Sequence, residues 1–320
     1  MKLVIAFLCY QDSSVPYLPD FLSSLEAAIA TLETEIEVSI LAGDNSDFSD
    51  RRNESIIKSF KTSSSYNFDY LDFKKNLGFA AAYNRLLNRA IDNKAEYFLM
   101  LNPDVYLDSQ FINKLLLVLD GNQTLVAVCP KIYRWDFKNK QFTQTIDSCG
   151  LGLKPGLCFY DLGQGELDHG QFDKEELIGP SGAAAMFRLS KLVQIGTKEE
   201  IYDERFFMYK EDCDLAYRLN ANNLSTEFVP EAICYHDRSA AKQGGFWHTW
   251  QNWRQRSRKT RSWSFVNQHL LFIKYIRLEP GYSRFLIILE LGFYFVFSLL
   301  LAQFLLKDYI YIIRRARSID

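Results

Sequence analysis

Lys2-Leu3-Val4-Ile5-Ala6-Phe7-Leu8-Cys9-Tyr10 is followed by Gln11-Asp12 and then, from Leu18, by apolar residues three and four apart. An unbroken apolar run of that length reads as a strand buried on both faces, and the spacing after it as a helix from Leu18 to about Leu32. The run is short and carries one charge, which suits a first strand better than a secretory signal. The alternation continues along the chain. Glu37 to Ala42, Phe68 to Phe73, Tyr97 to Leu101 and Leu125 to Pro130 read as further strands, and Ala80 to Ile91 and Phe111 to Leu119 as helices. Such repetition predicts an α/β fold: a Rossmann-like, mainly parallel sheet with helices on both faces.

In open sheets of this kind, ligands bind beyond the carboxyl ends of the strands. Polar residues stand at those ends here: Gln11-Asp12, Asp44-Asn45-Ser46, Lys75-Asn76 and Asn102-Pro103-Asp104. Ordinary helix caps would look similar one at a time. Between Thr143 and Ile178 six glycines punctuate short β-like pieces, which predicts a hairpin-rich insertion edging the cleft. Gly150 and Gly152 do not make a dinucleotide fingerprint, because no third glycine follows at the right spacing and no helix opens there. With no phosphate-binding glycine loop either, nicotinamide oxidoreductases and P-loop ATPases are poor candidates.

The 320 residues are 48% apolar, enough for a sizeable core, and the net charge of −2 argues against a nucleic-acid partner. Six cysteines stand without a C-x-x-C pair, and Cys9, Cys129 and Cys234 fall in apolar runs. That pattern fits buried thiols in a reducing cytosol rather than disulfides or zinc.

Phe206-Phe207-Met208-Tyr209-Lys210-Glu211-Asp212-Cys213-Asp214 packs three carboxylates behind an aromatic anchor. A helix N-terminus favours such charge, and so does a cleft where one carboxylate accepts a proton. Glu211 and Asp214 share a helix face and Asp212 does not, which permits separate roles. Without a glycine cradle, phosphate chemistry needs a metal. Asp104 after one strand and His236 after another could share an octahedral Mn²⁺ or Mg²⁺ with phosphate oxygens and water. A lone histidine is also commonly structural.

Asp44-Asn45-Ser46, Asn76-Leu77-Gly78-Phe79-Ala80, Leu101-Asn102-Pro103-Asp104-Val105, Ser181-Gly182-Ala183, Glu211-Asp212-Cys213-Asp214 and His236 occur in the order seen in family 2 glycosyltransferases. Over roughly residues 1 to 240 the chain resembles their rhamnosyltransferase-like branch. The resemblance implies a GT-A fold and inverting transfer of a sugar, with a lean to rhamnose, from a nucleotide-diphosphate donor. It implies that Tyr10, Asp44 and Asn45 line the nucleoside and that Lys75, Asn76 and Gly78 form a loop near the nucleotide. It further implies that Asn102 and Asp104 form the metal motif, that His236 joins the metal shell, and that Asp212 is the base with Glu211 beside it at the acceptor. Three departures stand out: Asn102 replaces the first Asp of D-x-D, Gln11 stands where Asn is usual, and Arg85 follows Asn84 where glycine is usual. A sugar-1-phosphate nucleotidyltransferase would want a glycine-rich loop where Gln11-Asp12-Ser13-Ser14-Val15 stands. A non-catalytic sugar-nucleotide-binding membrane scaffold would not need the intact Glu211-Asp212 pair.

Residues 241–320 read as a separate tail. Arg254, Arg256, Arg258, Lys259 and Arg261 lie among Trp247, Trp250, Trp253 and Trp263. Phe285 to Leu306 holds 18 apolar residues in 22 and is flanked by basic residues on both sides. A helix of that length, ~33 Å at ~1.5 Å per residue, could cross a ~30 Å bilayer core, lie on an anionic leaflet, or close the core or a homodimer interface. The expectation is a cytoplasmic enzyme held peripherally at the inner face of the cell membrane, acting on a glycan or lipid-linked acceptor.

Overall fold

The computed structural model describes residues 1–33, 35–47, 51–63, 66–197, 200–238 and 253–316. Trp247, Trp250 and Arg317 lie outside the described residues. The chain divides into two compact units. The first comprises residues 1–152, 161–204 and 211–238, and the second residues 153–160, 205–210 and 239–320.

The first unit is built on a nine-stranded sheet. β1 (Lys2–Cys9), β2 (Glu37–Asp44), β3 (Asn67–Asp72), β4 (Tyr97–Leu101), β5 (Val105–Leu107), β6 (Leu125–Asp136), β10 (Ala184–Arg188) and β11 (Ser225–His236) run in the spatial order β3-β2-β1-β4-β10-β6-β11-β5, and β7 (Gln141–Ser148) pairs with β6; β8 (Leu151–Lys154) and β9 (Cys158–Asp161) pair with each other as a two-stranded sheet. β3, β2, β1 and β4 are mutually parallel. Beyond them β10 enters antiparallel between β4 and β6, and β11 again runs parallel to β6. The result is the expected mainly parallel sheet with a mixed far half.

Alternate residues of β1 serve opposite faces, as strand geometry requires. Leu3, Ile5, Phe7 and Cys9 join the helices Leu18–Ile29 and Phe111–Gly121 in one core, whereas Val4 and Ala6 join the helix Phe79–Asp92 and Leu215 and Leu219 in another. Phe7 is fully buried, with its ring centroid 4.9 Å from Phe21 and 6.4 Å from Phe68. Truncating it to alanine would cost roughly 3–5 kcal/mol in transfer and cavity terms.

Several elements differ from the sequence expectation. β2 continues two residues past Ala42, because Gly43 and Asp44 stay in register with Leu8 and Cys9. β6 runs on six residues past Pro130. The proline marks an irregularity, a register shift against β11 between Val229 and Ile233, rather than an end. The helix Arg52–Ser63 has little apolar periodicity of its own and is held tertiarily, by buried Ile57 and by Asn53, whose amide donates to Gln11 O and Ser46 Oγ, each at 3.2 Å.

In the second unit, helices run over Arg258–Tyr275, Gly281–Leu300 and Leu306–Ala316. The first opens on Ser257, whose hydroxyl accepts from Thr260 N–H as an N-cap. Phe265 and His269 pack edge or tilted against Tyr294 and Tyr309, joining the three helices.

Candidate active site

Because β1, β2 and β4 are parallel and in register, their carboxyl ends share one edge, with Cys9 beside Asp44 and Leu101 beside Phe7. Asp44 is buried there. Its Oδ1 accepts from Ser46 N–H at 2.8 Å and its Oδ2 from Tyr70 O–H at 2.7 Å. Asn45 ties this end to the next loop: its amide donates to Gly78 O at 2.9 Å and its Oδ1 accepts from Leu77 N–H at 3.3 Å. Gly78 adopts φ +80°, a conformation that side chains resist, and Asn76 Oδ1 accepts its N–H. Asp44, Asn45, Asn76 and Gly78 therefore form one connected rim. Tyr10 is half-buried at the end of β1, its N–H bonded to Ser14 Oγ, and Lys75 is exposed. Arg85, on the exposed side of its helix, lies over the Phe73 ring.

Asp104 is placed by a turn and a strand pairing. After β4, Asn102-Pro103-Asp104 leads into β5, which pairs with the end of β11 so that Val105 faces His236, and Asp237 N–H donates to Asp104 O. His236 Nε2 thereby lies 3.3 Å from Asp104 Oδ1. On the opposite side, Nδ1–H donates to Asp147 Oδ2 at 2.9 Å. Burial alone would lower the His236 pKa, but the two carboxylates outweigh it and raise it to about 10. Asp147 is pulled up by burial and pushed further down by His236 and Arg238, so it is held below the usual range. Arg238 also binds Asp161 at 2.8 Å, and Tyr17 O–H donates to Asp237 at 2.7 Å.

A carboxylate holding the far nitrogen of a histidine is the usual support of a metal-ligating imidazole. Asp104 Oδ1 is buried, makes no hydrogen bond of good geometry and faces His236 Nε2 at 3.3 Å, so a cation that displaces the imidazole proton could use both atoms. Asp104 and His236 thus fit a divalent ion as a partial shell. Among the described residues no three His, Cys, Asp or Glu side chains converge as a metal cage, so phosphate and water would have to fill the other positions.

The helix Glu211–Ala221 sorts its three carboxylates. Asp214 is fully buried and pairs with Arg218 at 2.9 Å, and Arg218 also donates to Ile195 O and Ile201 O. That carboxylate anchors the helix. Glu211 is also buried; its desolvation, then Asp212 and Asp214, push its pKa well above the carboxylate range. Asp212 is half-buried. Its Oδ2 accepts from Gly182 N–H at 3.1 Å and its Oδ1 from Cys213 N–H at 2.8 Å. Next to Gly182, Ala183 O accepts from Asn102 N–H at 2.9 Å. One backbone bridge therefore links the Asp212 region to the Asn102-Pro103-Asp104 turn.

Residues 5–196 match the profile of glycosyl transferase family 2. The chain belongs to that family. Residues 174–319 of this family 2 glycosyltransferase also match the profile of glycosyl transferase family group 2. Among solved structures it is similar to the mannosyltransferase PcManGT from Pyrobaculum calidifontis in complex with GDP-Man and Mn²⁺. That likeness has 15% identity and a TM-score of 0.54, and covers 99% of this chain and 75% of the other. It is also similar to residues 1–349 of S. aureus TarS in complex with UDP, at 14% identity and a TM-score of 0.53, over 90% of this chain and 88% of that one. At such identity these likenesses establish the GT-A fold alone. No curated protein matches the chain.

Sequence reasoning passed over Asp147, Asp161 and Arg238. Asp147 stands in the mostly polar run Gln144-Thr145-Ile146-Asp147-Ser148, which carries no sequence signal, and the fold buries it together with Ile146, Ser148 and Cys149. A carboxylate buried that deeply needs a charged partner, and His236 is one.

Proposed function

We propose that this family 2 enzyme is an inverting hexosyltransferase that moves a sugar from a nucleotide-diphosphate donor to a lipid-linked or surface-polysaccharide acceptor. The observation that carries the reading is the joining, at one sheet edge, of an Asp104–His236 pair braced by Asp147 to a half-buried Asp212 carboxylate.

In this reading Tyr10, Asp44 and Asn45 hold the nucleoside, and the Lys75 to Gly78 loop lies near the nucleotide. Asp104 and His236 would hold a Mn²⁺ or Mg²⁺ ion, which when bound neutralises charge on the departing diphosphate. Asp212 takes the acceptor hydroxyl proton as that oxygen attacks the anomeric carbon from the face opposite the leaving group. Glu211, buried and pushed toward its neutral form by desolvation, stands beside Asp212 at the acceptor. No second carboxylate acid is needed, because the diphosphate leaves as an anion.

The bound GDP-Man and Mn²⁺ of the Pyrobaculum neighbour and the UDP of the TarS fragment support a nucleotide-diphosphate donor and a divalent ion. The sequence likeness to rhamnosyltransferases makes deoxythymidine-diphosphate rhamnose the first donor to try, beside GDP-mannose and UDP sugars. The test is calorimetry of nucleoside diphosphates with and without Mn²⁺. Binding should need the ion and weaken at least tenfold in Asp104→Ala, with a smaller loss in His236→Ala. Ion-independent binding of equal strength in all three proteins would defeat the assignment.

A further inference from the structure

We propose that the helix Gly281–Leu300 is a monotopic anchor that lies in the plane of an anionic phospholipid leaflet. The proposal deepens the membrane location expected from the tail. It does not depend on the transfer chemistry, so its failure leaves the donor-binding test above intact.

The helix is amphipathic the wrong way round for water. Its packed stripe holds Ser283, Ile287, Glu290, Tyr294 and Ser298, and the two serines and Ile287 are buried. Its polar groups are used inward. Ser283 accepts from Gly156 N–H at 2.7 Å and donates to the Glu279 carboxylate, and Ser298 donates to Phe295 O. The outward stripe, at helical spacing, is Tyr282, Phe285, Leu289, Phe293, Val296 and Leu300, each between 51% and 72% exposed. At about 200 Å² for a large side chain, six such residues present roughly 700 Å² of apolar surface, more than the roughly 300–600 Å² of the largest patch on a typical monomer. A surface helix in water has these faces reversed.

Charge selects the occupant. The described residues 253–316 contain eleven Lys and Arg and three Asp and Glu, in a chain whose overall net charge is −2. Glu279 and Asp308 are buried and Glu290 partly so, whereas Arg277, Arg284, Lys307 and Arg314 are exposed before and after the apolar stripe. Ile310 and Ile313 are exposed on the following helix, between Lys307 and Arg314. Apolar side chains bordered by cations are what an anionic leaflet binds.

Packing selects the orientation. By length and hydropathy the helix could cross a bilayer, yet its inner stripe lies against the helix Arg258–Tyr275 through Phe265, His269 and Tyr294. That partner carries Arg258, Lys259, Arg261 and Lys274, and buries Asn267, Gln268 and His269. A crossing would carry those groups into hydrocarbon. Lying in the plane immerses only the outward stripe.

The test uses the full chain with vesicles of phosphatidylglycerol and phosphatidylcholine. In a Cys158→Ser background, nitroxides are attached at Phe285→Cys, Phe293→Cys and Leu300→Cys, and their depth is read by electron paramagnetic resonance. The expected result is one shallow depth for all three labels, and Leu289→Asp/Phe293→Asp lowers vesicle binding at least tenfold with an unchanged circular dichroism spectrum. A central label much deeper than the end labels would establish a span and overturn the proposal. So would full vesicle binding by the folded double variant, or labels immobilised in a lipid-free dimer with no vesicle binding. If the double variant does not fold, the three label depths alone decide.

Discussion

Replacing Asp212 by Asn separates chemistry from binding with almost no change of shape. The carboxylate accepts two backbone N–H groups, from Gly182 at 3.1 Å and from Cys213 at 2.8 Å. An amide has one oxygen, so one of the two donors would face an NH₂ group. A hydrogen bond to a charged group contributes about 1.5–3 kcal/mol, which bounds the expected loss of folding stability. The chemical loss is larger. Removing a general base costs 10²–10⁴ in rate, or about 2.7–5.4 kcal/mol of barrier at ~1.36 kcal/mol per decade. Donor affinity should stay within about threefold, because the proposed donor contacts lie on other strand ends. The assay is transfer turnover beside calorimetric donor binding and urea denaturation. Turnover within a few-fold of wild type would refute the assignment. Suspicion would then fall on Glu211 rather than Asp214, since Asp214 is committed to Arg218.

Three further outcomes follow from the site. His236 is raised from 6.5 to about 10, so the stability it contributes is fully present below about pH 6.5 and is lost as pH rises through about 10. A cation at Nε2 must displace that proton, so Mg²⁺ affinity in the presence of nucleotide should climb with pH across this window, by up to roughly tenfold per unit; a flat calorimetric profile would remove His236 from the shell. Asn45→Ala deletes bonds to Gly78 O and from Leu77 N–H, and thermal denaturation should show a loss of about 1–3 kcal/mol together with weaker nucleotide binding. Gly182→Ala would bring a Cβ within 3.2 Å of Asp212 Oδ2, so turnover should fall while donor affinity holds, and unchanged turnover would show that Asp212 tolerates displacement.

The parallel half of the sheet was legible because β1, β2, β3 and β4 are compact strands with polar residues waiting at their ends. The mixed half was not. β10 is Ala184-Ala185-Met186-Phe187-Arg188, which lacks β-branched residues and takes strand form from its neighbours β4 and β6. Sequence spacing separated Asp212 from Glu211 and Asp214, and the structure turns the latter two inward. It gave no hint that Asp147 braces His236, because residues 89 apart meet only through the β6–β7 and β6–β11 pairings. The apolar tail was visible as composition. Which of its faces is packed was not, since that depends on Phe265 and His269 in another helix.

The central claim is single-displacement transfer with Asp212 as the base. Proton nuclear magnetic resonance of the first product formed by the wild-type enzyme, with the donor that binds best in the presence of Mn²⁺, tests it most directly. The account predicts a new glycosidic linkage whose anomeric configuration is opposite to that of the donor. A product that keeps the donor configuration would contradict it.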